Sequence, residues 1–239
     1  MMTERTTARV VGALFIVATV AGIAGAMFER SLVADDYLVK ASSEENLLAT
    51  GALLALIMAA AVVAIAIVLY PVLRRFSERI AMGYVVARTV EAVTFIVSTL
   101  GALALLSLSR AFVSAGGTDA ASYQTLGGTL VAARDWVGAA GCDAAFTLSA
   151  LMLNLVLFRT RIVPRWLAVW GLASAVLYLA ASVMVLYGLE PNSATQYALN
   201  APMFLQEMVF AVWLIAKGFT VPATPTIRVP EPEPVSVAR

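Results

Sequence analysis

Residues 82–109 read MGYVVARTVEAVTFIVSTLGALALLSLS, a run long and apolar enough to cross a bilayer that nevertheless carries Arg88 and Glu91 well inside it. About 20 apolar residues span the ~30 Å of hydrocarbon. An ionisable side chain in that layer is expensive and is read as functional or partner-seeking. At a rise of about 1.5 Å per residue, Arg88 lies roughly 12 Å and Glu91 roughly 16 Å along a helix that begins near Ile80. On a 3.6-residue period Tyr84, Arg88, Glu91, Thr94 or Phe95, Ser98 and Gly101 form one stripe on an otherwise apolar helix. The spacing predicts that this stripe faces the interior of a bundle, with Arg88 and Glu91, three residues apart, paired to each other.

Composition carries the membrane reading from one helix to the whole chain. Of 239 residues, 61% are hydrophobic and only 13% charged, and the mean hydropathy is +0.89. A soluble domain carries about 25% charged residues, so this chain has too few charges to cover its surface in water. A net charge of +1 argues against a nucleic-acid partner and leaves the lipid bilayer as the surrounding phase. There is no histidine, which excludes His-ligated zinc or haem and His-based triads. A single cysteine, Cys142, excludes an intramolecular disulfide and a Cys-rich metal site. No cofactor or metal is expected, and the remaining toolkit disfavours an enzyme.

The chain reads as an all-α polytopic membrane bundle of about six transmembrane helices, with spans expected at 10–28, 47–70, 80–108, 136–158, 166–187 and 202–219. Within the first, Ala24-Gly25-Ala26 resembles a signal cleavage site. Signal h-regions run roughly 7–15 residues, and this longer run reads as a retained span. Leu47–Tyr70 holds no charge and is assigned to lipid-facing packing, ended by Pro71. The stretch 110–134, with Gly116-Gly117 and Gly127-Gly128, is expected as the longest connection, its middle (Tyr123 to Ala133) forming a short interfacial helix. Glu190, Pro191 and Asn192 mark a loop leading to Pro202, where the sixth span is expected to start. The Pro-rich end, 220–239, cannot bury enough apolar surface to fold and reads as a disordered cytoplasmic tail.

Arg5, Arg9, Arg74, Arg75, Arg79, Arg159, Arg161, Arg165 and Lys217 fall on one side of these spans, as do Arg228 and Arg239 of the tail. Only Arg30, Lys40, Arg110 and Arg134 fall on the other. The positive-inside rule then places both termini in the cytoplasm. Trp136, Trp166, Trp170, Tyr70 and Tyr187 mark span ends, as interfacial belts do.

Two further spans bring acids inward. Asp143 lies roughly 10 Å from the outer end of the fourth, with Thr147 and Asn154 continuing its face; Glu207 lies roughly 8 Å from the outer end of the sixth, beside Gln206. Both are expected in the outer half of the membrane, above Glu91. One arginine then faces three carboxyls. Desolvation and like charge both disfavour ionised carboxyls, so the cluster calls for a proton or a cation. The candidate binding set is Arg88, Glu91, Asp143, Glu207, Tyr84, Asn154 and Gln206, and the candidate ligand is a proton, a cation or a small solute. The competing reading makes the buried charges a lock on helix packing in a structural or regulatory protein. Acid–base chemistry on paired carboxyls is a third reading. Gly138, Gly141, Cys142, Ala145 and Ser149 give the fourth span a small-residue packing face, in which Cys142 is a buried small hydrophobe.

Three segments together resemble a known family. They are Tyr84-Val-Val-Ala-Arg88-Thr-Val-Glu91-Ala, then Ile162-Val-Pro164-Arg-Trp166-Leu-Ala-Val-Trp-Gly171, then Gln206-Glu207-Met-Val-Phe-Ala-Val-Trp213-Leu-Ile-Ala-Lys217-Gly218-Phe219. They are similar to an uncharacterised bacterial membrane family, domain of unknown function 4386, over most of the chain from near Arg9 to Phe219. The resemblance implies a multi-span bacterial inner-membrane protein in which Arg88, Glu91 and Glu207 matter, and it implies no activity. Thr89 is more polar than the aliphatic residue the pattern carries there.

Overall fold

The computed structural model describes residues 3–29, 36–116 and 119–220. The expected disordered tail, beyond Thr220, and part of the first loop lie outside the described residues. Within them the chain is all-α, without a strand. Helix α1 (Glu4–Phe28) is followed by the short α2 (Tyr37–Ser43), α3 (Glu45–Leu73) and α4 (Glu78–Ser114). Next come α5 (Ala120–Trp136), a π-helical segment (Val137–Cys142), α6 (Asp143–Thr160), α7 (Arg165–Leu186) and α8 (Ala194–Ala216). Six runs are long and apolar enough to cross a membrane: α1, α3, α4, the continuous run Ala120–Thr160, α7 and α8. The fold is that of a multi-pass membrane protein.

Chain order sets the packing. Helix α1 packs on α3, α3 on α4, α4 on α6, α6 on α7 and α7 on α8, and α8 returns to α1, closing a ring. Its interior is filled by Phe15, Ile65, Leu69, Tyr84, Leu157, Leu167, Phe210 and Leu214, each at most 2% exposed. The turns that join α3 to α4 and α6 to α7 hold Arg74, Arg75 and Arg161, with Arg159 in the last turn of α6, and this is termed the basic end. There Glu4 pairs with Arg75, and Thr220 N–H donates to Ile162 O at 2.8 Å.

The joint between α1 and α8 depends on Gly12, where an added Cβ would stand 2.6 Å from Ala211 O. Backbone cannot yield cheaply, so Gly12→Ala should part the two helices. The expected cost is about 1–3 kcal/mol, read as a lower thermal midpoint in detergent. Gly128→Ala, where an added Cβ meets nothing within 4 Å, should hold that midpoint or raise it, since alanine is the better helix former within α5.

The structure corrects several boundaries. Residues 110–134 are not a long connection: α4 continues to Ser114 and α5 opens at Ala120. A 37-residue α4 is roughly 55 Å long, well beyond the ~30 Å of hydrocarbon. Its last turns pack with α2 and the start of α5. Tyr37 O–H donates to Gln124 O at 3.2 Å, Arg110 pairs with Glu45 at 2.8 Å, and Arg134 pairs with Glu29. A small core of Ala41, Leu48, Ala102, Leu105 and Leu106 holds this cap together.

Leu47–Tyr70 is not merely lipid-facing. Ala59, Ala61, Val62, Ile65, Ala66 and Leu69 of α3 are buried between α1 and α4, because small side chains let those neighbours close in. Pro71 lies inside the last turn of α3 rather than ending it. Pro202 lies inside α8, which starts eight residues earlier at Ala194. There Ser193 caps the helix by accepting from Gln196 N–H, while Gln196 Oε1 accepts from Asn192 N–H at 2.7 Å.

Candidate functional site

Arg88 stands at the middle of the ring, and four elements touch it. Its own helix supplies Glu91, one turn on, to which one terminal nitrogen donates twice, at 3.1 and 3.3 Å. Helix α8 supplies Glu207, whose Oε1 is 3.4 Å from the other terminal nitrogen. The guanidinium carbon lies 5.8 Å from the ring centre of Phe15 on α1, 5.5 Å from that of Tyr84 on α4 and 5.3 Å from that of Phe146 on α6. Aromatic faces attract a cation most strongly when it is desolvated, and Arg88 is 2% exposed. Arg88 Nε and Tyr84 Oη have no hydrogen-bond partner among the described residues.

The expected depth of Glu207 needs correction. It lies at the level of Arg88, not above Glu91. The reason is the earlier start of α8: from Ala194, thirteen residues place Glu207 about 20 Å down the helix, where roughly 8 Å was expected. The buried stripe on α4 also drifts. After Tyr84, Arg88 and Glu91 it passes through Thr99 and Ala102, leaving Ser98 and Gly101 only half-buried.

Asp143 does not join the Arg88 set. Its carboxylate accepts from Tyr178 Oη at 3.0 Å and from Ser182 Oγ at 3.2 Å, both on α7. Asn154 and Gln206 form a third group: Gln206 Nε2 donates to Asn154 Oδ1 at 3.4 Å and to Leu167 O at 3.3 Å, and Asn154 Nδ2 donates to Ala150 O at 2.9 Å. The seven candidates thus fall into three neighbouring groups. Among the described residues no three of Cys, Asp and Glu gather as a metal ion would need.

The π segment positions Asp143, which follows it directly. Gly141 lets this segment sit against α4, since an added Cβ would stand 2.8 Å from Thr94 Cγ2; Thr94 Oγ1 in turn donates to Glu91 O at 2.7 Å. Cys142 is buried. A hollow at the basic end is lined by Glu4, Arg5 and Ala216 to Phe219, and a shallow apolar groove by Thr94, Val97, Trp136, Val137 and Gly141. Neither reaches Arg88, Glu91, Asp143 or Glu207.

Sequence reasoning missed Tyr178 and Ser182, and with them the rings of Phe15 and Phe146. The first pair was legible: Gly171, Ser174, Tyr178 and Ser182 recur every three or four residues along an apolar span. The rings carried no signal, because a phenylalanine in a membrane helix reads the same whether it packs on a cation or on leucine.

Ring and site together define a class, the multi-pass helical membrane protein with an arginine and several carboxyls sealed in its interior. The family described as Domain of unknown function (DUF4386) matches residues 10–218, and the chain belongs to that family. No curated protein and no solved structure matches it.

Proposed function

We propose that this protein binds and releases protons within the membrane, with Arg88 and Glu91 as the fixed pair and Glu207 and Asp143 as the exchanging carboxyls. A carried proton, alone or with a small solute, is the activity this arrangement serves. One observation carries the reading: among the described residues Arg88 is the single fully buried cation for three interior acids, and it contacts only Glu91 and Glu207. One terminal nitrogen of Arg88 serves both Glu91 oxygens, while Glu207 is held on the other at only 3.4 Å with its side chain 12% exposed. Asp143 has two hydroxyls for partners in place of a cation. With all three ionised, the interior would hold two uncompensated negative charges in hydrocarbon, and proton uptake is the cheapest relief. A coordinated cation fits less well, because the acids do not converge. The arginine distribution supports both termini in the cytoplasm of a bacterium, with the bundle in its inner membrane.

A second reading rests on the box around Arg88. Three rings and two carboxylates hold the guanidinium, as a pure packing lock would. Carbodiimide labelling in the native membrane, mapped by mass spectrometry across pH, separates the two, because the reagent modifies protonated carboxyls in apolar surroundings. Proton exchange predicts labelling of Glu207 or Asp143 near neutral pH, fading as pH rises. A lock predicts that neither labels and that Glu91→Gln only destabilises the fold.

A further inference from the structure

Helices α6 and α7 meet along a polar seam separate from the Arg88 box. At one end Asp143 takes hydrogen bonds from Tyr178 and Ser182. At the other, Asn154 packs directly on Gly171, which has no side chain to hold it off, and takes the Gln206 amide. Helical spacing places two more hydroxyls between these ends. Thr147 is one turn past Asp143 on α6; Ser174 lies between Gly171 and Tyr178 on α7. They are 2% and 1% exposed.

Neither hydroxyl has a hydrogen-bond partner among the described residues. That is unusual in this molecule. Thr89, Thr99 and Thr160 each return their hydroxyl to the carbonyl four residues back in their own helix, an option open to Thr147 and Ser174 and not taken. A third orphan, Asn200 Oδ1, sits on α8 one turn before Met203, which packs with Phe146, Ala150, Ala175 and Tyr178 against this seam. Buried polar groups without a protein partner are the usual seats of internal water, and in hydrocarbon the demand for one is stronger.

We infer that the α6–α7 seam holds a file of ordered water, seated on Thr147 and Ser174 and running from Asp143 to the Asn154–Gln206 pair. The distance along α6 is eleven residues, roughly 16 Å, about half the hydrocarbon. Towards the basic end the file stops at Leu153, Val156, Leu157, Val163 and Leu167, all buried and apolar. It is a blind column, open to exchange only from the side of Asp143. It deepens the proton reading by supplying Asp143 with a relay, but the water itself is independent of whether any carboxyl exchanges.

X-ray radiolytic labelling of the purified protein in nanodiscs tests this, because radicals born from an internal water oxidise the side chains beside it. Relative to the intrinsic reactivity of each side chain, Tyr178, Phe146 and Met203 should be oxidised several-fold faster than Phe15 and Phe210, which are also buried but pack edge-to-face on each other. In the double variant Thr147→Val, Ser174→Ala, which keeps the volume and removes the seats, that excess should disappear. Background oxidation at all five residues overturns the proposal, and so does an excess that survives the double variant. Carbodiimide labelling of Asp143 in the same double variant keeps the two ideas apart. Labelling that persists in the double variant after the excess oxidation is lost retains the exchanging carboxyl; in the unsubstituted protein, excess oxidation with neither Asp143 nor Glu207 labelled retains the water and removes the exchange.

Discussion

Arg88→Leu should remove most of the folded protein, at a cost of about 3–5 kcal/mol, because it strands a buried carboxylate that has no other cation. Glu91 is 3% exposed and both of its oxygens face Arg88. Stability of detergent-extracted protein, followed as the fraction surviving size-exclusion after heating, should fall steeply for Arg88→Leu. The double variant Arg88→Leu, Glu91→Leu should recover most of the loss, since apolar groups of similar volume replace a buried pair at little net cost. A double variant as unstable as the single one would mean that the three rings need the guanidinium more than the acids do. Arg88→Lys should fall between, because a single ammonium cannot serve carboxylates on α4 and α8 together as the guanidinium fork does.

The second large effect belongs to a residue without a side chain. A Cβ built at Gly171 would overlap the whole Asn154 carboxamide, so Gly171→Val has to expel Asn154 from its hydrogen bonds to Ala150 O and Gln206. Overpacking of this kind costs about 1–3 kcal/mol, and the broken hydrogen bonds of Asn154 add about 1–3 kcal/mol more. Adding Asn154→Ala should return part of the stability by making room. If Gly171→Val unfolds at the wild-type midpoint, α6 and α7 do not meet where they are described, and the polar seam goes with them.

Much of the bundle was readable because apolar runs in lipid obey one rule, length, and charges between them obey another. Arg88 and Glu91 stood out for the same reason. Depth along a helix was harder. Placing Glu207 required the true start of α8, and Pro202 disguised it. A proline reads as a helix boundary in water, yet a membrane helix tolerates one in its interior. The sequence Ser193-Ala-Thr-Gln196 carried the correct signal, a hydroxyl cap followed three residues later by an amide. The pair Gly127-Gly128 misled in the opposite direction. Gly127 and Gly128 lie within α5, where tertiary packing against α4 and α2 outweighs their poor helix propensity. The role of α3 was illegible, since alanine and valine look alike whether they meet lipid or another helix.

The π segment Val137–Cys142 adds a residue to one turn of a helix that would otherwise run unbroken from the cap to the basic end. Each residue of an α-helix advances the phase by about 100°, so this insertion sets α5 and α6 out of phase with each other. Helix α5 can keep one side towards α4 and α2 while α6 turns Asp143, Thr147 and Asn154 towards α7. Shortening the segment by one residue would rejoin the two phases, and α6 would rotate its polar side away from the seam. Chain length in this stretch is therefore as restrictive as residue type, and homologous sequences aligned across it must be compared by count before they are compared by letter.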